Sequence, residues 1–282
     1  MALGLVLGGG GVAGIAWEVG ILAGLAEAGV ELGRPSRVIG TSAGSIVGAQ
    51  VAAGAEVAAM LDAQLAALPP GEGAERPEHD LDVWSELLFE RGPESHDDGL
   101  RALMRRIGAM AAEAQTASLE VYRAVIDGQL PVQDWPAGAD LQLTSVAAAT
   151  GELTVWAADS GASLLEAVMA SCAVPGLMPL VPIAGKRYFD GGLNSSTHAD
   201  LAAGCSEVLV IAPFSEAVAG PTLAAELDAL QDSRTAAIVP DANSRQAFGT
   251  NPLAPSTRLP AALAGRAQGR AEAMRIGILL SL

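Results

Sequence analysis

A formal net charge of −16 on 282 residues predicts an acidic surface. Such a surface repels phosphate backbones, so we do not expect nucleic acid as a partner. It also has no electrostatic attraction to an anionic membrane. Half of the residues are apolar but only 4% are aromatic, so alanine carries much of the apolar fraction and favours helices. The length allows a substantial core, in either one large α/β domain or two small ones.

The chain begins with a short apolar strand, residues 3–7, which leads into a run of glycines and then a helix over residues 12–28. The glycines match G-x-G-x-x-G, a pattern that binds dinucleotides when an acidic residue ends the second strand. Here the second strand is followed by Gly-Thr-Ser, which disfavours a nucleotide site. Consecutive glycines also turn backbone N–H groups outward together, and such groups can stabilise an oxyanion. The matching residues are Gly9, Gly11 and Gly14.

The second strand, residues 37–39, runs into the pattern G-x-S-x-G, formed by Gly40, Ser42 and Gly44. In a nucleophile elbow this pattern holds a serine on a sharp turn between a strand and a helix, with its hydroxyl exposed above the sheet. The helix N-terminus behind the serine favours developing negative charge. Because the ends of the first two strands of a parallel α/β unit are neighbours, we expect the glycine turn to lie beside Ser42.

A long segment without strands follows the elbow. We predict a helix near residues 56–68, a polar break over 69–80 and helices over about 81–127. Residues 70–135 are interpreted as a helical insertion between sheet elements, which either forms a lid or acyl-chain wall or packs as an ordinary layer over the sheet. One apolar face marks these helices, formed by Leu100, Leu103, Met104, Ile107 and Met110.

The second half of the chain contains most of the remaining strands. The hairpin that ends at residue 189 delivers Asp190 to a strand end, and Gly191 and Gly192 leave room around its carboxylate. Without an internal repeat or a low-complexity linker, we expect one domain over residues 1–282. The predicted strands are 141–147, 153–157, 181–183, 186–189, 208–212 and 236–239, and the predicted helices are 163–172, 222–231, 241–248 and 259–280.

A serine nucleophile requires a base within hydrogen-bond reach, and Asp190 is the better candidate by its setting. An aspartate with the ordinary pKa of ~3.9 is a poor base near neutral pH, so the scheme depends on positioning and oxyanion stabilisation. His198 follows closely and completes the chain order Ser, Asp, His of a triad hydrolase. The few residues between Asp190 and His198 usually form only a loop, whereas a triad needs its histidine on a separate loop beside the serine. We therefore expect His198 to lie on the surface or to cap a helix, and a catalytic histidine is the alternative.

The three glycine-rich motifs, in this order, resemble the patatin-like phospholipase family. The similarity extends through residues 170–176 and covers about residues 3–213. The resemblance implies a three-layer α/β/α sandwich with a central, mostly parallel sheet, and hydrolysis of lipid acyl esters through an acyl-enzyme. It implies a Ser–Asp dyad without histidine, in which Ser42 is the nucleophile and Asp190 the base. The implied oxyanion hole is formed by the backbone amides of Gly9, Gly10 and Gly11.

One position departs from the family pattern. The family commonly has Arg or Lys just before the last glycine of the first motif, where this chain has Ala13. A basic residue there helps to fix the glycine loop or holds a phosphate group. Ala13 therefore motivates an alternative function, that of a non-catalytic lipid-binding or regulatory relative. A His-dependent serine esterase or acyltransferase is the other alternative.

Cysteine content and the apolar segments bear on cofactors and location. Cys172 and Cys205 form neither a disulfide framework nor a metal-binding set. The N-terminus lacks a basic region and is interpreted as a strand, and the charge-free stretches 38–55 and 167–185 hold too many glycines or prolines for membrane spans. We expect a cytoplasmic protein without metal or other cofactor and without a transmembrane segment. Its partner is then a lipid or other acyl-ester substrate, reached by transient membrane contact.

Overall fold

The computed structural model describes residues 2–67, 97–130, 132–215 and 219–280. The predicted polar break and the beginning of the helical insertion lie outside these described residues. The described strands are β1 (Leu3–Leu7), β2 (Arg37–Thr41), β3 (Asp140–Ala147), β4 (Leu153–Trp156), β5 (Val181–Ile183), β6 (Lys186–Asp190), β7 (Glu207–Ile211) and β8 (Arg234–Ile238).

Helices lie between most of these strands. Short 3-10 helices span Gly191–Leu193, Ala199–Ala202 and Pro255–Thr257. The described α-helices are α1 (Gly11–Glu27), α2 (Ala43–Ala52), α3 (Val57–Leu65), α4 (Asp97–Glu113), α5 (Leu119–Asp127), α6 (Leu164–Ser171), α7 (Leu223–Asp228), α8 (Ala242–Phe248) and α9 (Arg258–Leu280).

The described strands form one mixed sheet, hydrogen-bonded in the order β5-β6-β3-β2-β1-β7-β8, with β4 also paired to β3. Strands β3, β2, β1, β7 and β8 run parallel to one another. Strands β4 and β6 are antiparallel to β3, and β5 is antiparallel to β6. The predicted α/β fold with a mostly parallel central sheet is confirmed, whereas a single domain over the whole chain stays a prediction.

The central strands are apolar on both faces because helices cover both faces of the sheet. In β1, Leu5 and Leu7 point into the core cluster that contains α1, α2 and α9 residues. Val6, between them, points into a second cluster on the other face, beside Leu223 of α7 and Ala199. Side chains that alternate between two cores place the sheet between two layers of helix.

The described part of the insertion packs on the sheet. Met104 and Ile107 of α4 are fully buried and share a cluster with Val146 of β3 and Phe189 of β6. For α4, this supports the interpretation as a packing layer over the interpretation as a lid. Among the described helices, none is both long enough and apolar enough to cross a membrane.

Strand β3 has three partners, and its register decides where they lie. Leu143 and Thr144 pair with both β2 and β4, whereas Ser145 and Val146 pair with both β4 and β6. Since a strand has only two edges, β2 and β6 must share the edge opposite β4. The two strands therefore approach each other end to end along β3.

This pairing also explains why two strands are longer than predicted. We expected β2 to end at residue 39 and β6 at residue 189. Gly40 and Thr41 extend β2 because they pair with β3, and Asp190 extends β6 because it pairs with Ser145. Two elements near the far edge of the sheet also differ from the prediction. Helix α7 ends at Asp228 rather than at residue 231, and β8 spans Arg234–Ile238 rather than residues 236–239.

Candidate active site

The end-to-end meeting of β2 and β6 creates the candidate site. Thr41, the last residue of β2, is opposite Thr144, and Asp190, the last residue of β6, is opposite the next residue, Ser145. Ser42, which follows β2 directly, therefore reaches Asp190 although 148 positions separate the two in sequence. The Ser42 Oγ donates a hydrogen bond of 2.6 Å to Oδ2 of Asp190.

The Ser42 backbone adopts the geometry of a nucleophile elbow. Its φ of 52° and ψ of −117° lie in a region that is unfavourable for residues other than glycine, so the surrounding turn must hold the serine there. Helix α2 begins at the next residue. Gly44 permits the turn, because a Cβ at that position would lie 2.0 Å from the carbonyl oxygen of Leu7. The N–H of Gly44 instead donates to the carbonyl of Gly8 at 3.0 Å.

The polar groups of the Ser42 backbone are fully engaged. Its N–H donates to Oγ of Ser171 at 2.9 Å, at the end of α6. Its carbonyl accepts hydrogen bonds from Oγ of Ser45 at 2.6 Å and from the Sγ of Cys172 at 3.1 Å. Burial raises the pKa of the Cys172 thiol, and the negative charge of Asp190 raises it further. Cys172 is therefore a neutral donor that fixes the elbow.

Asp190 is a buried carboxyl, with 4% of its surface exposed. Burial raises its pKa to about 6, and the hydrogen bonds from Ser42 and from the N–H of Gly192 oppose this shift. The Gly192 bond, of 2.7 Å to Oδ1, leaves Oδ2 for the serine. The ordinary aspartate pKa that the sequence alone suggests is therefore too low for Asp190. Desolvation makes this carboxylate a stronger base than a free aspartate.

The glycine turn lies beside the serine, as expected. A Cβ on Gly9 would lie 3.6 Å from the Cβ of Ser42. The N–H of Gly9 donates to the carbonyl of Ser196 at 2.8 Å, so this amide is already occupied. Gly10 caps α1 and Gly11, its first residue, has a φ of +61°. The N–H groups of Gly10 and Gly11 have no acceptor among the described residues, which leaves them for a ligand oxygen.

The other motif glycines allow close packing around these groups. A Cβ on Gly40 would lie 2.6 Å from the carbonyl oxygen of Gly44, and one on Gly191 would lie 2.5 Å from Oγ1 of Thr144. Gly14 faces Ala43 across the α1–α2 contact, with 3.3 Å between that side chain and a Cβ built on the glycine. Ala13 is fully buried, and its N–H donates to the carbonyl of Pro252 at 2.9 Å.

His198 is buried rather than on the surface, with 2% exposure and a left-handed φ of 53°. It is the N-cap residue of the 3-10 helix Ala199–Ala202, although its side chain makes no capping bond. Its Nδ1 lies 3.1 Å from Oγ1 of Thr41, and its Nε2 lies 3.4 Å from Oδ1 of Asn194. An amide oxygen only accepts, so Nε2 carries the proton and Nδ1 accepts from Thr41. Burial lowers the His198 pKa to about 3, which keeps the ring neutral.

These bonds orient the residue before the serine, and the structure does not bring the imidazole to the Ser42 hydroxyl. Because Thr41 donates to His198, its oxygen accepts the 2.8 Å hydrogen bond from the Thr144 hydroxyl. Of the two roles predicted for His198, the surface position is wrong, because spacing along the chain does not reveal the contacts that bury the ring. The helix-capping position is occupied by its backbone but not by its side chain. The ring is instead buried between its two hydrogen-bond partners, Thr41 and Asn194.

Several polar residues of the site were missed by sequence reasoning. Ser171 lies within the segment 170–176 that carried the resemblance, which is the signal that could have found it. Glu226 of α7 accepts hydrogen bonds from Ser195 and Thr197, yet nothing in its local sequence marks it. Among the described residues, no group of three or more His, Cys, Asp or Glu side chains is placed to hold a metal ion.

Comparison with known proteins adds an independent finding. A family model described as Patatin-like phospholipase matches residues 5–203. No curated protein matches the chain significantly. Among solved structures, VipD from Legionella pneumophila is 16% identical with a TM-score of 0.45, and the match covers 98% of this chain and 67% of VipD. The type III effector protein ExoU is 19% identical with a TM-score of 0.43, and the match covers 97% of this chain and 53% of ExoU.

Proposed function

Because the chain belongs to the patatin-like phospholipase family, as the order of its motifs indicated, we propose that it hydrolyses carboxylic esters of lipids. Ser42 is the nucleophile and Asp190 the base. The observation that carries this proposal is the 2.6 Å hydrogen bond from the Ser42 hydroxyl to a buried carboxyl. Four hydrogen bonds hold the strained Ser42 backbone at a helix N-terminus: the three described above and one from the N–H of Ser45 to the Ser42 carbonyl, at 2.8 Å. A preorganised nucleophile requires such support.

In the acylation step, the Ser42 oxygen attacks the ester carbonyl carbon while its proton passes to Oδ2 of Asp190. A base with a pKa of about 6 is ionised at neutral pH and accepts a proton more readily than an ordinary aspartate. The C–O bond to the alcohol then breaks, and Asp190 returns the proton to the leaving oxygen. The product of this step is an acyl ester on Ser42.

The tetrahedral intermediate carries a negative oxygen, which requires hydrogen-bond donors. The N–H groups of Gly10 and Gly11 supply them, since both are at the N-terminus of α1 and neither has an acceptor among the described residues. Each such donor contributes ~3–4 kcal/mol to transition-state stabilisation. Gly9 acts differently from the sequence-based expectation. Its N–H is bonded to Ser196, so Gly9 holds the turn in place.

Water completes the cycle. Asp190, ionised again after the alcohol leaves, takes a proton from water as the water oxygen attacks the acyl carbonyl. Collapse of the second intermediate returns that proton to Ser42 and releases the fatty acid. No metal or other cofactor takes part in this scheme. The cytoplasmic location and the transient membrane contact remain predictions.

The test is hydrolysis of p-nitrophenyl esters by the purified protein. We expect Ser42→Ala and Asp190→Asn each to lose nearly all of the wild-type rate. Their circular dichroism spectra should match that of wild type, which shows that both variants fold. Ser206→Ala and Asp140→Asn are matched controls, because both positions lie at the opposite end of the sheet, Ser206 hydrogen-bonded to Ala2 and Asp140 ion-paired with Arg37. Hydrolysis retained in Ser42→Ala would rule the proposal out.

A further inference from the structure

The 194–199 segment, which runs from Asn194 to Ala199, contacts both the glycine turn and the strand that leads to Ser42. The carbonyl of Ser196 accepts the hydrogen bond from Gly9 N–H, at 2.8 Å, and so fixes the glycine turn. The His198 ring contacts Thr41, the residue before the nucleophile. The same segment follows Asp190 by only a few residues. Whatever holds the 194–199 segment therefore holds the glycine turn relative to the serine.

That role falls to a buried carboxylate on α7. Glu226, with 3% exposure, accepts a hydrogen bond from the Ser195 hydroxyl on Oε1. Its Oε2 accepts from the Thr197 hydroxyl and, at 3.0 Å, from the N–H of Ala199. Three donors of the segment thus converge on one side chain. Burial raises the pKa of Glu226, and these three hydrogen bonds act against that shift.

The direction of these bonds is fixed by donor and acceptor counting. The Ser195 Oγ accepts the N–H of Thr197 at 3.2 Å and the N–H of His198 at 3.0 Å. Both of its lone pairs are therefore used, and its single hydrogen must point to Glu226. Position 226 requires a side chain that only accepts. In one orientation of its amide, a glutamine would aim its N–H₂ group at the Ser195 oxygen, which has no lone pair left. In the other orientation it would aim that group at the N–H of Ala199, which is itself a donor.

We propose that Glu226 is a positioning residue for ester hydrolysis: through Ser195 and Thr197 it holds the Ser196 carbonyl against Gly9 N–H, and so sets the place of the Gly10 and Gly11 amides. This inference rests on the proposed function, because it assigns those amides to the oxyanion. The route involves no contact between Glu226 and substrate. Loss of the carboxylate displaces the glycine turn and leaves the Ser42–Asp190 bond in place.

The experiment compares the Glu226→Gln variant with wild type on two substrates, a p-nitrophenyl ester and the thionoester in which sulfur replaces the carbonyl oxygen. Sulfur accepts hydrogen bonds weakly, so the ratio of the two rates reports the amide contacts to the oxyanion. We expect kcat for the ester to fall by about 10- to 100-fold with KM little changed. The ratio of ester rate to thionoester rate is expected to fall several-fold. A loss of folded protein would lower both rates equally and leave the ratio unchanged.

Two further variants keep the result decisive. Glu207→Gln is the matched control, since Glu207 is also buried but begins β7 at the opposite end of the sheet, where it pairs with Arg234. Its ratio should equal that of wild type. Ser195→Ala removes the hydroxyl that donates to Oε1 of Glu226. It should shift the ratio in the same direction as Glu226→Gln.

The outcomes separate this inference from the proposed function. An unchanged ratio in the folded Glu226→Gln and Ser195→Ala variants would overturn the role of Glu226 while the Ser42-dependent hydrolysis of wild type stands. If wild type hydrolyses neither substrate, or if Ser42→Ala retains the rate, both the function and this inference are wrong.

Discussion

Replacing Asp190 by asparagine should stabilise the protein while abolishing its activity. The carboxyl is buried, and burial raises its pKa from 3.8 to about 6. Asparagine has nearly the same shape and has no charge to desolvate. Its Oδ1 can accept the N–H of Gly192, and its N–H₂ group can donate to the Ser42 oxygen, so both positions now occupied by hydrogen bonds stay occupied.

The size of the effect follows from proton linkage. Below both pKa values the carboxyl is protonated in the folded and unfolded states and has no influence. As pH rises from 3.8 to about 6, the unfolded state loses its proton first, so wild type loses stability across this window. The shift corresponds to a full cost of about 3 kcal/mol above the higher pKa. Asparagine does not titrate, so the variant escapes this loss.

Urea denaturation of wild type and Asp190→Asn over a pH series measures the effect. The variant's free energy of unfolding, minus that of wild type, should grow by about 2–3 kcal/mol between about pH 4 and pH 8, with m-values unchanged. Asp159→Asn, at an exposed position, controls for the general effect of the substitution. A difference that stays constant with pH, or that shrinks as pH rises, would refute the argument that Asp190 is a desolvated base.

Three further outcomes are expected. The kcat/KM of wild type should rise with pH through about 6 and then level off, because Asp190 must be ionised to accept the proton, and a profile that falls through this range would contradict that role. Gly44→Ala should lower the free energy of unfolding by at least about 3 kcal/mol, because its Cβ would overlap the Leu7 carbonyl. Gly128→Ala is the control and should change that free energy by less than about 1 kcal/mol, because a Cβ there lies 3.5 Å from its nearest neighbour. Equal effects of the two substitutions in urea denaturation would disprove the close contact. His198→Gln should lower the melting temperature but keep the rate of hydrolysis within about tenfold of wild type, because the ring orients Thr41 and does not contact Ser42. A loss as complete as that of Ser42→Ala would favour the alternative of a His-dependent esterase.

The parts of the fold that sequence predicts well are those that a few neighbouring residues determine. The apolar strand β1, the glycine turn and α1 are specified within the first 27 residues by one change of periodicity. The elbow at Ser42 and the hairpin that delivers Asp190 are equally local. For these elements the observed boundaries differ from the predicted ones by at most two residues.

What sequence could not supply depends on contacts between distant segments. The meeting of β2 and β6 requires that β3 pair with three strands in a particular register. The raised pKa of Asp190 requires its burial, which no local pattern states. The same is true of His198, whose spacing along the chain gave no sign that its ring would be buried. Glu226 lies 31 positions from Ser195 and is brought to it only by the packing of α7.

The central claim is that Ser42 is a nucleophile activated by Asp190, and covalent labelling tests it most directly. A fluorophosphonate reacts with an activated serine and mimics the tetrahedral intermediate, and mass spectrometry of proteolytic peptides locates the adduct. We expect one adduct per chain of wild type, on the peptide that carries Ser42. Labelling of Asp190→Asn should be much slower, and in Ser42→Ala that peptide should not be labelled. Folded wild-type protein that remains unlabelled, or an adduct on another serine, would contradict it.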